Sequence, residues 1–455
     1  MTNVQTGLEP STRKGSGFFE HHFSKDSWVF AAVAVGVPNM PFLVLSLFIC
    51  PQRPLGILLY LAVAIAARRL PLVATAGLAI AVCLLDIAIG ISTLFRLAPR
   101  LLLSSLQYML TLDVTASVTY LAVGAGLMAM LALFVWLLHR FKRRFQTASL
   151  IPAVLAAMLM IIFDTAVNGS KTAGTLYILQ SPPAFSSATG QTGLTEIPQG
   201  TRQQDVLLVL VESLGALDDP RQMNVIWDSF RTPEIAARYD VSTGTTAYKG
   251  STTAGETREL CGDWNDFAAY LDGPHPECLP ASYRDAGYKT ASFHAFPAEF
   301  FSRDEWYPNI GFETSSFMED LVPTDREFRT CGKTFTGLCD MDLADTIESY
   351  LTSPSVAPRL TYWLTLNTHV PFDPADVAPR LGCADSALFD DQTVCHMSEM
   401  WMEIFDRIAK IASNPELKPT KILLVGDHAP PLWTRKGRDA FTADQVPWLL
   451  LTPKF

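Results

Sequence analysis

The chain has 455 residues, 49% of them hydrophobic, and a formal net charge of −10. That length exceeds what one average domain needs. A modest negative charge with no basic stripe argues against a nucleic-acid partner, because nothing is positioned to neutralise phosphates along a strand.

Composition changes sharply near Asn168. Before it lie long apolar runs broken by basic clusters, over about Trp28–Ile49, Pro54–Ala67, Leu70–Phe95, Val114–Leu138 and Ser149–Phe163. Most approach the ~20 residues that cross a bilayer as a helix; the second is short. Arg68 and Arg69 demand a turn between the second and third runs. With the N-terminus cytoplasmic, Arg13, Lys14, Lys25, Arg68, Arg69 and the cluster His139-Arg-Phe-Lys-Arg-Arg144 fall inside, while Arg53, Arg96 and Arg100 fall outside. This basic excess inside, with five crossings, predicts an extracytoplasmic C-terminal half. No small-residue cleavage site follows the first run, so no removable leader is expected. Segment 95–109 mixes Leu, Tyr and Arg and reads either as an interfacial helix or as a connecting loop. Asp86, inside the third run, is costly in lipid and reads as a helix-packing polar group or a functional one. The predicted organisation is a membrane domain over 1–166 with five transmembrane helices, a Gly/Ser/Thr/Pro-rich linker over 167–203, and a catalytic domain over 204–455.

The cysteines divide the same way. Cys50 and Cys83 sit in apolar runs; Cys261, Cys278, Cys331, Cys339, Cys383 and Cys395 follow the boundary. An even set beside a membrane anchor predicts disulfides in an oxidising compartment, most simply between neighbours: Cys261–Cys278, Cys331–Cys339 and Cys383–Cys395. No CxxC spacing suggests a zinc-cysteine site.

Within 204–455, Asp205-Val-Leu-Leu-Val-Leu-Val-Glu-Ser213 and Lys421-Ile-Leu-Leu-Val-Gly-Asp-His428 are continuous apolar runs ending in acids. Such runs suit buried parallel strands covered by helices on both faces. Ligands in these folds bind beyond the carboxyl ends of the strands, where Glu212, Asp427 and His428 would stand. Two carboxylates and an imidazole make three ligands for a divalent cation. The small-residue turn Gly250-Ser-Thr-Thr-Ala-Gly255 offers a hydroxyl nucleophile, Thr252 or Thr253.

Val-Glu-Ser after a strand, Thr252-Thr-Ala-Gly255 followed by Cys261-Gly262, and Gly-Asp-His near the C-terminus occur in one order that resembles the alkaline phosphatase/sulfatase superfamily. Within it the pattern is similar to the membrane-bound branch of lipoteichoic acid synthases, glucan phosphoglycerol transferases and lipid A phosphoethanolamine transferases. The resemblance implies a multi-span α-helical membrane domain and an α/β alkaline phosphatase-like domain with a mostly parallel central sheet. It also implies a divalent metal (Zn, Mn or Mg) on Glu212, Thr252, Asp427 and His428. Thr252 matches the nucleophile, with Thr253 its rival; Glu256 fits the synthases' Thr-x-x-x-Glu pattern. His294, Arg303 and His369 match substrate-binding positions, although Phe301 stands where the synthases carry Trp.

The implied activity is transfer of a phospholipid head group, phosphoglycerol favoured, through phospho-threonine onto an envelope glycan or glycolipid. The implied setting is the bacterial cytoplasmic membrane with the domain periplasmic. Phosphoethanolamine transfer, hydrolysis to water and a non-catalytic scaffold are the alternatives. The surroundings of Thr252 lack Cys/Ser-x-Pro-x-Arg, which disfavours sulfate-ester hydrolysis. His275 and His396 lie outside every motif and read as structural.

Overall fold

The computed structural model describes residues 22–95, 118–168, 183–197, 203–322 and 327–454. Segment 96–109 of the expected interfacial stretch lies outside them. The chain divides into two compact units, one from the apolar N-terminal helices and one from the C-terminal domain.

In the first unit, four helices are long and apolar enough to cross a membrane: Lys25–Leu45, Leu72–Leu94, Leu121–Arg140 and Ile151–Asn168. The short second run is the helix Pro54–Ala67. Ser24 caps the first helix, accepting the Ser27 N–H, and Pro54 opens its own helix at a position where the missing N–H costs nothing. Asp86 is held in a buried polar network between helices. Arg53 Nε donates to it at 3.1 Å, and a second guanidinium nitrogen closes the pair. Arg53 also donates through Nη1 to Asn39 and through its backbone N–H to Asp164, which in turn accepts from Asn168. The guanidinium lies 3.2 Å above the Phe42 ring centroid. Gly56 is required beside this cluster, because a Cβ there would stand 2.2 Å from Asp86 Oδ1.

The second unit is built on nine strands: β1 Asp205–Val211, β2 Tyr239–Ala247, β3 Lys289–His294, β4 Thr314–Ser316, β5 Thr330–Cys331, β6 Gly337–Leu338, β7 Arg359–Leu364, β8 Thr420–Gly426 and β9 Gln445–Pro453. Seven form one sheet in the order β2-β9-β8-β1-β7-β3-β4. Its centre is parallel, and β9 runs antiparallel to both β8 and β2. Every residue of β1 and β7 is buried, as their unbroken apolar runs require. Alternate residues feed two cores. Leu207, Val209 and Val211 face one with Trp363 and the helix Gln392–Ser413; Val206, Leu208 and Leu210 face the other with Tyr283 and Trp306.

Three disulfides join Cys261–Cys278, Cys331–Cys339 and Cys383–Cys395, the neighbour pairing, while Cys50 and Cys83 stay reduced and buried. Closing loops of these lengths stabilises by about 2–4 kcal/mol each. Residues 183–197, within the stretch expected to be linker, contain the short helix Ala188–Gln191, and Ala188 and Leu194 belong to the second core.

Candidate active site

The parallel order places four strand ends side by side: β3, β7, β1 and β8. His294 ends β3, His369 lies in the loop after β7, Glu212 follows β1, and Asp427 and His428 follow β8. Val211 and Gly426 are register partners, so the two carboxylates that follow them become neighbours. Ser213 takes a left-handed φ of 57°. A serine rarely holds that conformation without support from its surroundings. Here its N–H donates to Asp427 Oδ1 at 2.7 Å and its hydroxyl to Glu212 Oε1 at 2.8 Å.

Glu212 is anchored along its main chain. Its N–H donates to Thr365 Oγ1 at 2.9 Å, and its carbonyl accepts from Thr368 Oγ1 at 2.5 Å and Trp401 Nε1 at 3.4 Å. The loop after β7 is fixed from its other side by Asp340, whose carboxylate accepts the N–H groups of Leu366 and Asn367. Thr365 and Asp340 carry no sequence signal for these roles and Thr368 only its place before His369; the folded loop makes them partners.

Thr252 is the first residue of the helix Thr252–Cys261, which follows β2. Its hydroxyl donates to Glu212 Oε2 at 3.0 Å and lies 3.4 Å from His428 Nε2. Thr253 is 1% exposed and makes no such contact, so only one of the two adjacent hydroxyls reaches the carboxylates. His428 Nδ1 faces the Ala429 carbonyl at 2.9 Å, which places the proton on Nδ1 and leaves the Nε2 lone pair toward the site.

Glu212, Asp427 and His428 can together hold a metal ion, their ligand atoms lying within 4.8 Å of one another. Asp427 Oδ2 is buried with no hydrogen-bond partner among the described residues, and His428 Nε2 stands 3.4 Å from it. Burial and the adjacent Glu212 charge push the Asp427 carboxyl well above its ordinary range. Burial raises Glu212 too, but His369 and His428 bring it below the ordinary value. Two crowded acids that ionise unequally, with one oxygen unpartnered, are a donor set that a divalent cation would satisfy. A second grouping, Cys383 with His396 and Glu399, is no thiolate site, because Cys383 is bonded to Cys395.

The remaining candidates close the pocket. His294 is 3% exposed, and its Nδ1 lies 3.0 Å from the Leu364 carbonyl; burial, then the charge of Arg303, holds it well below its ordinary pKa. His369 is also lowered, first by burial, and packs against the Phe335 ring at 3.8 Å. Arg303, 2% exposed, is paired with neither Asp304 nor Glu305. It donates to both oxygens of Glu256, at 2.8 Å to Oε2 through Nη2, and Glu256 also accepts the Tyr307 hydroxyl. His294, Arg303 and His369 line one pocket with Thr252, Glu212 and His428, walled by Phe296, Phe300 and Leu366.

A mostly parallel sheet bearing these groups at its carboxyl edge, after four helices long and apolar enough to cross a membrane, defines an alkaline phosphatase-like domain on a membrane protein. The chain belongs to the sulfatase family, whose model matches residues 204–454, more than half of its length.

Three solved structures illustrate the similarity. The integral membrane lipooligosaccharide phosphoethanolamine transferase A of Neisseria meningitidis is 13% identical at TM-score 0.46, covering 95% of this chain and 89% of its own. The lipoteichoic acid synthase LtaP of Listeria monocytogenes is 16% identical at TM-score 0.42, covering 59% and 72%. The Streptococcus pyogenes phosphoglycerol transferase GacH, solved with sn-glycerol-1-phosphate, is 15% identical at TM-score 0.40, covering 59% and 77%. Among curated proteins no relative matches the sequence.

Proposed function

We propose that the chain is a membrane-anchored, metal-dependent transferase that moves a phospholipid head group, phosphoglycerol in preference, onto an envelope glycan or glycolipid. The domain over 204–455 works outside the cytoplasm, with 1–166 holding it at the lipid surface. The observation that carries this reading is the Thr252 hydroxyl, 3.0 Å from Glu212 at the start of a helix and beside a three-residue group able to hold a cation.

A divalent cation bound by Glu212, Asp427 and His428 would lower the pKa of the adjacent hydroxyl and offset charge on the phosphoryl oxygens. In the first step Thr252 Oγ attacks phosphorus and forms a P–O bond. The P–O bond to diacylglycerol breaks, and the proton lost by Thr252 passes through a site histidine, His369 or His294, to the departing oxygen. An acceptor hydroxyl then attacks the phospho-threonine, gives up its proton to the same relay, and restores the Thr252 hydroxyl. Burial lowers the pKa of both histidines, favouring the neutral form that can take a proton. The positive end of the Thr252 helix favours the anionic phosphate, and Arg303, its charge answered by Glu256, lines the pocket the head group would enter.

Two features favour glycerol over ethanolamine. Glu212 is the sole carboxylate among the described pocket-lining residues, and Glu256 is occupied by Arg303 and Tyr307. An ammonium head group would therefore lack an acidic partner. Ethanolamine transfer is kept as the second reading by the sequence separation of eight between Cys331 and Cys339, which resembles the cysteine-rich domain of that branch.

Mass spectrometry of the intact protein after incubation with phosphatidylglycerol and phosphatidylethanolamine vesicles tests this. The expected result is a glycerophosphoryl adduct on Thr252 that is absent from Thr252→Ala and retained by Thr253→Ala. An adduct on Thr253, or phospholipid turnover by Thr252→Ala near the wild-type rate, would overturn the assignment.

A further inference from the structure

Beneath the Thr252 helix lies a charged pair that the reaction does not use. Arg258 and Glu259 are both essentially without solvent exposure, and Arg258 Nε donates to Glu259 Oε1 at 2.6 Å. The rest of the guanidinium is aimed at the end of β8: Nη2 donates to the Gly426 carbonyl at 2.6 Å and Nη1 to the Asp427 carbonyl at 3.1 Å. The side chain thus spans two elements. Its own helix begins with Thr252, and the carbonyls it holds belong to and precede Asp427.

The same two elements touch again three residues earlier. A Cβ on Gly255 would lie 2.9 Å from both Cα and Cβ of Asp427, a separation real side chains do not adopt. Glycine is what lets the helix approach this closely.

Glu259 is fixed from the opposite side. The N–H groups of Ala188 and Thr189 donate to its two oxygens at 3.1 and 2.8 Å, and Thr189 Oγ1 donates to its carbonyl at 3.1 Å. Ser187 caps this turn by accepting the Gly190 N–H. The turn follows the last apolar helix in sequence. Burying a charged pair rarely adds net stability, so the pair calls for another explanation, and holding one geometry is the physical alternative.

We propose that Arg258 is a positioning residue for the candidate metal centre: it locks the Gly426–Asp427 main chain to the Thr252 helix, and the Ser187–Gly190 turn completes the clamp through Glu259. Thr252, Asp427 and the chain arriving from the membrane domain are then one hydrogen-bonded unit. The inference rests on reading Glu212, Asp427 and His428 as a metal centre, but not on which head group is transferred.

The test is Zn2+ affinity of the full chain in detergent, stripped of metal and titrated with Zn2+ alone in competition with a chromogenic chelator. It is read well below the unfolding temperature of the metal-free protein. Groups that orient metal ligands typically change affinity about 10–100-fold when removed. Arg258→Met should weaken Zn2+ binding by that factor, and Arg258→Lys should recover part of it. Gly255→Ala, which pushes Asp427 from the helix side and keeps the charged pair, should weaken binding without removing a hydrogen bond. It also serves as the second variant should Arg258→Met not fold. A purely structural Arg258 would lower the metal-free unfolding temperature and leave Zn2+ affinity within about two-fold, overturning the proposal. A wild-type protein that takes up none of Zn2+, Mn2+ and Mg2+, each titrated alone, would sink the metal-centre reading itself, whereas tight wild-type binding with unaltered variants would sink this inference alone.

Discussion

Each unit buries a cluster of two aspartate or glutamate side chains with a basic partner, and the two clusters are finished differently. In the apolar unit, Asp86 and Asp164 are answered by Arg53, Asn39, Asn168 and the Phe42 ring. In the catalytic unit, Glu212 and Asp427 crowd one histidine, and Asp427 Oδ2 has no hydrogen-bond partner among the described residues. Buried polar groups are normally satisfied, so a closed network reads as architecture and an incomplete one as a place for something else to bind. The difference lies in how completely the donors and acceptors match, since both clusters are equally hidden from water.

Removing a ligand from the incomplete cluster should have the largest effect. Asp427→Asn is expected to abolish Zn2+ uptake and reduce turnover by roughly 10^3-fold or more, the scale seen when a residue acting as part of a catalytic unit is lost. The metal-free protein should at the same time melt at a higher temperature, because one of two crowded carboxylates is gone. Calorimetry of the stripped protein checks this; a lower melting temperature would mean that the cluster is satisfied without a cation.

The closed cluster should behave in the opposite way. Asp86→Ala leaves Arg53 buried and uncompensated, at a cost of about 3–5 kcal/mol to the apolar unit. The double variant Arg53→Met, Asp86→Leu should recover most of that loss. Zn2+ affinity should stay at the wild-type value in both, and a drop in the double variant would make Arg53 and Asp86 more than packing groups.

An effect spread over a pH range, and so small at any one pH step, belongs to Asp340, where burial raises the carboxyl from 3.8 to about 7. A raised folded-state value means that the stability is present in full below about pH 4 and is lost as pH rises toward 7, because the unfolded chain releases this proton first. Asp340→Asn should remove a pH slope on the order of a few kcal/mol across that window. Thermal midpoints of wild type and variant that run parallel from pH 4 to 7 would show that the group does not titrate there.

How much of this the sequence disclosed depends on the range of each interaction. Strand ends were readable because an apolar run that stops at an acid states both its burial and its edge, and Glu212, Asp427 and His428 are brought together there. The disulfides joined near neighbours, so short spacing sufficed. Arg53 and Asp86 lie on different elements, and nothing local pairs them. Arg303 stands next to two acids in sequence yet binds Glu256 on another helix, because helix geometry turns adjacent side chains apart. Thr365, Thr368, Asp340 and Arg258 act through backbone groups of distant segments, which leave no pattern of residue types. A small residue such as Gly255 was the one visible trace of the close approach at Asp427.

Strand order also governs when the domain can be completed. β8 and β9, the last strands of the sequence, occupy the two places between β1 and β2, which come first. Until residues 420–453 have emerged, β1 lacks one neighbour and β2 has none, leaving open hydrogen-bonding edges of the kind that recruit other chains. Pairings between such distant segments form slowly and late. A newly synthesised domain therefore passes through a period of aggregation risk that ends only when these two strands are in place, and the acidic pair that flanks Thr252 comes into being at that same moment.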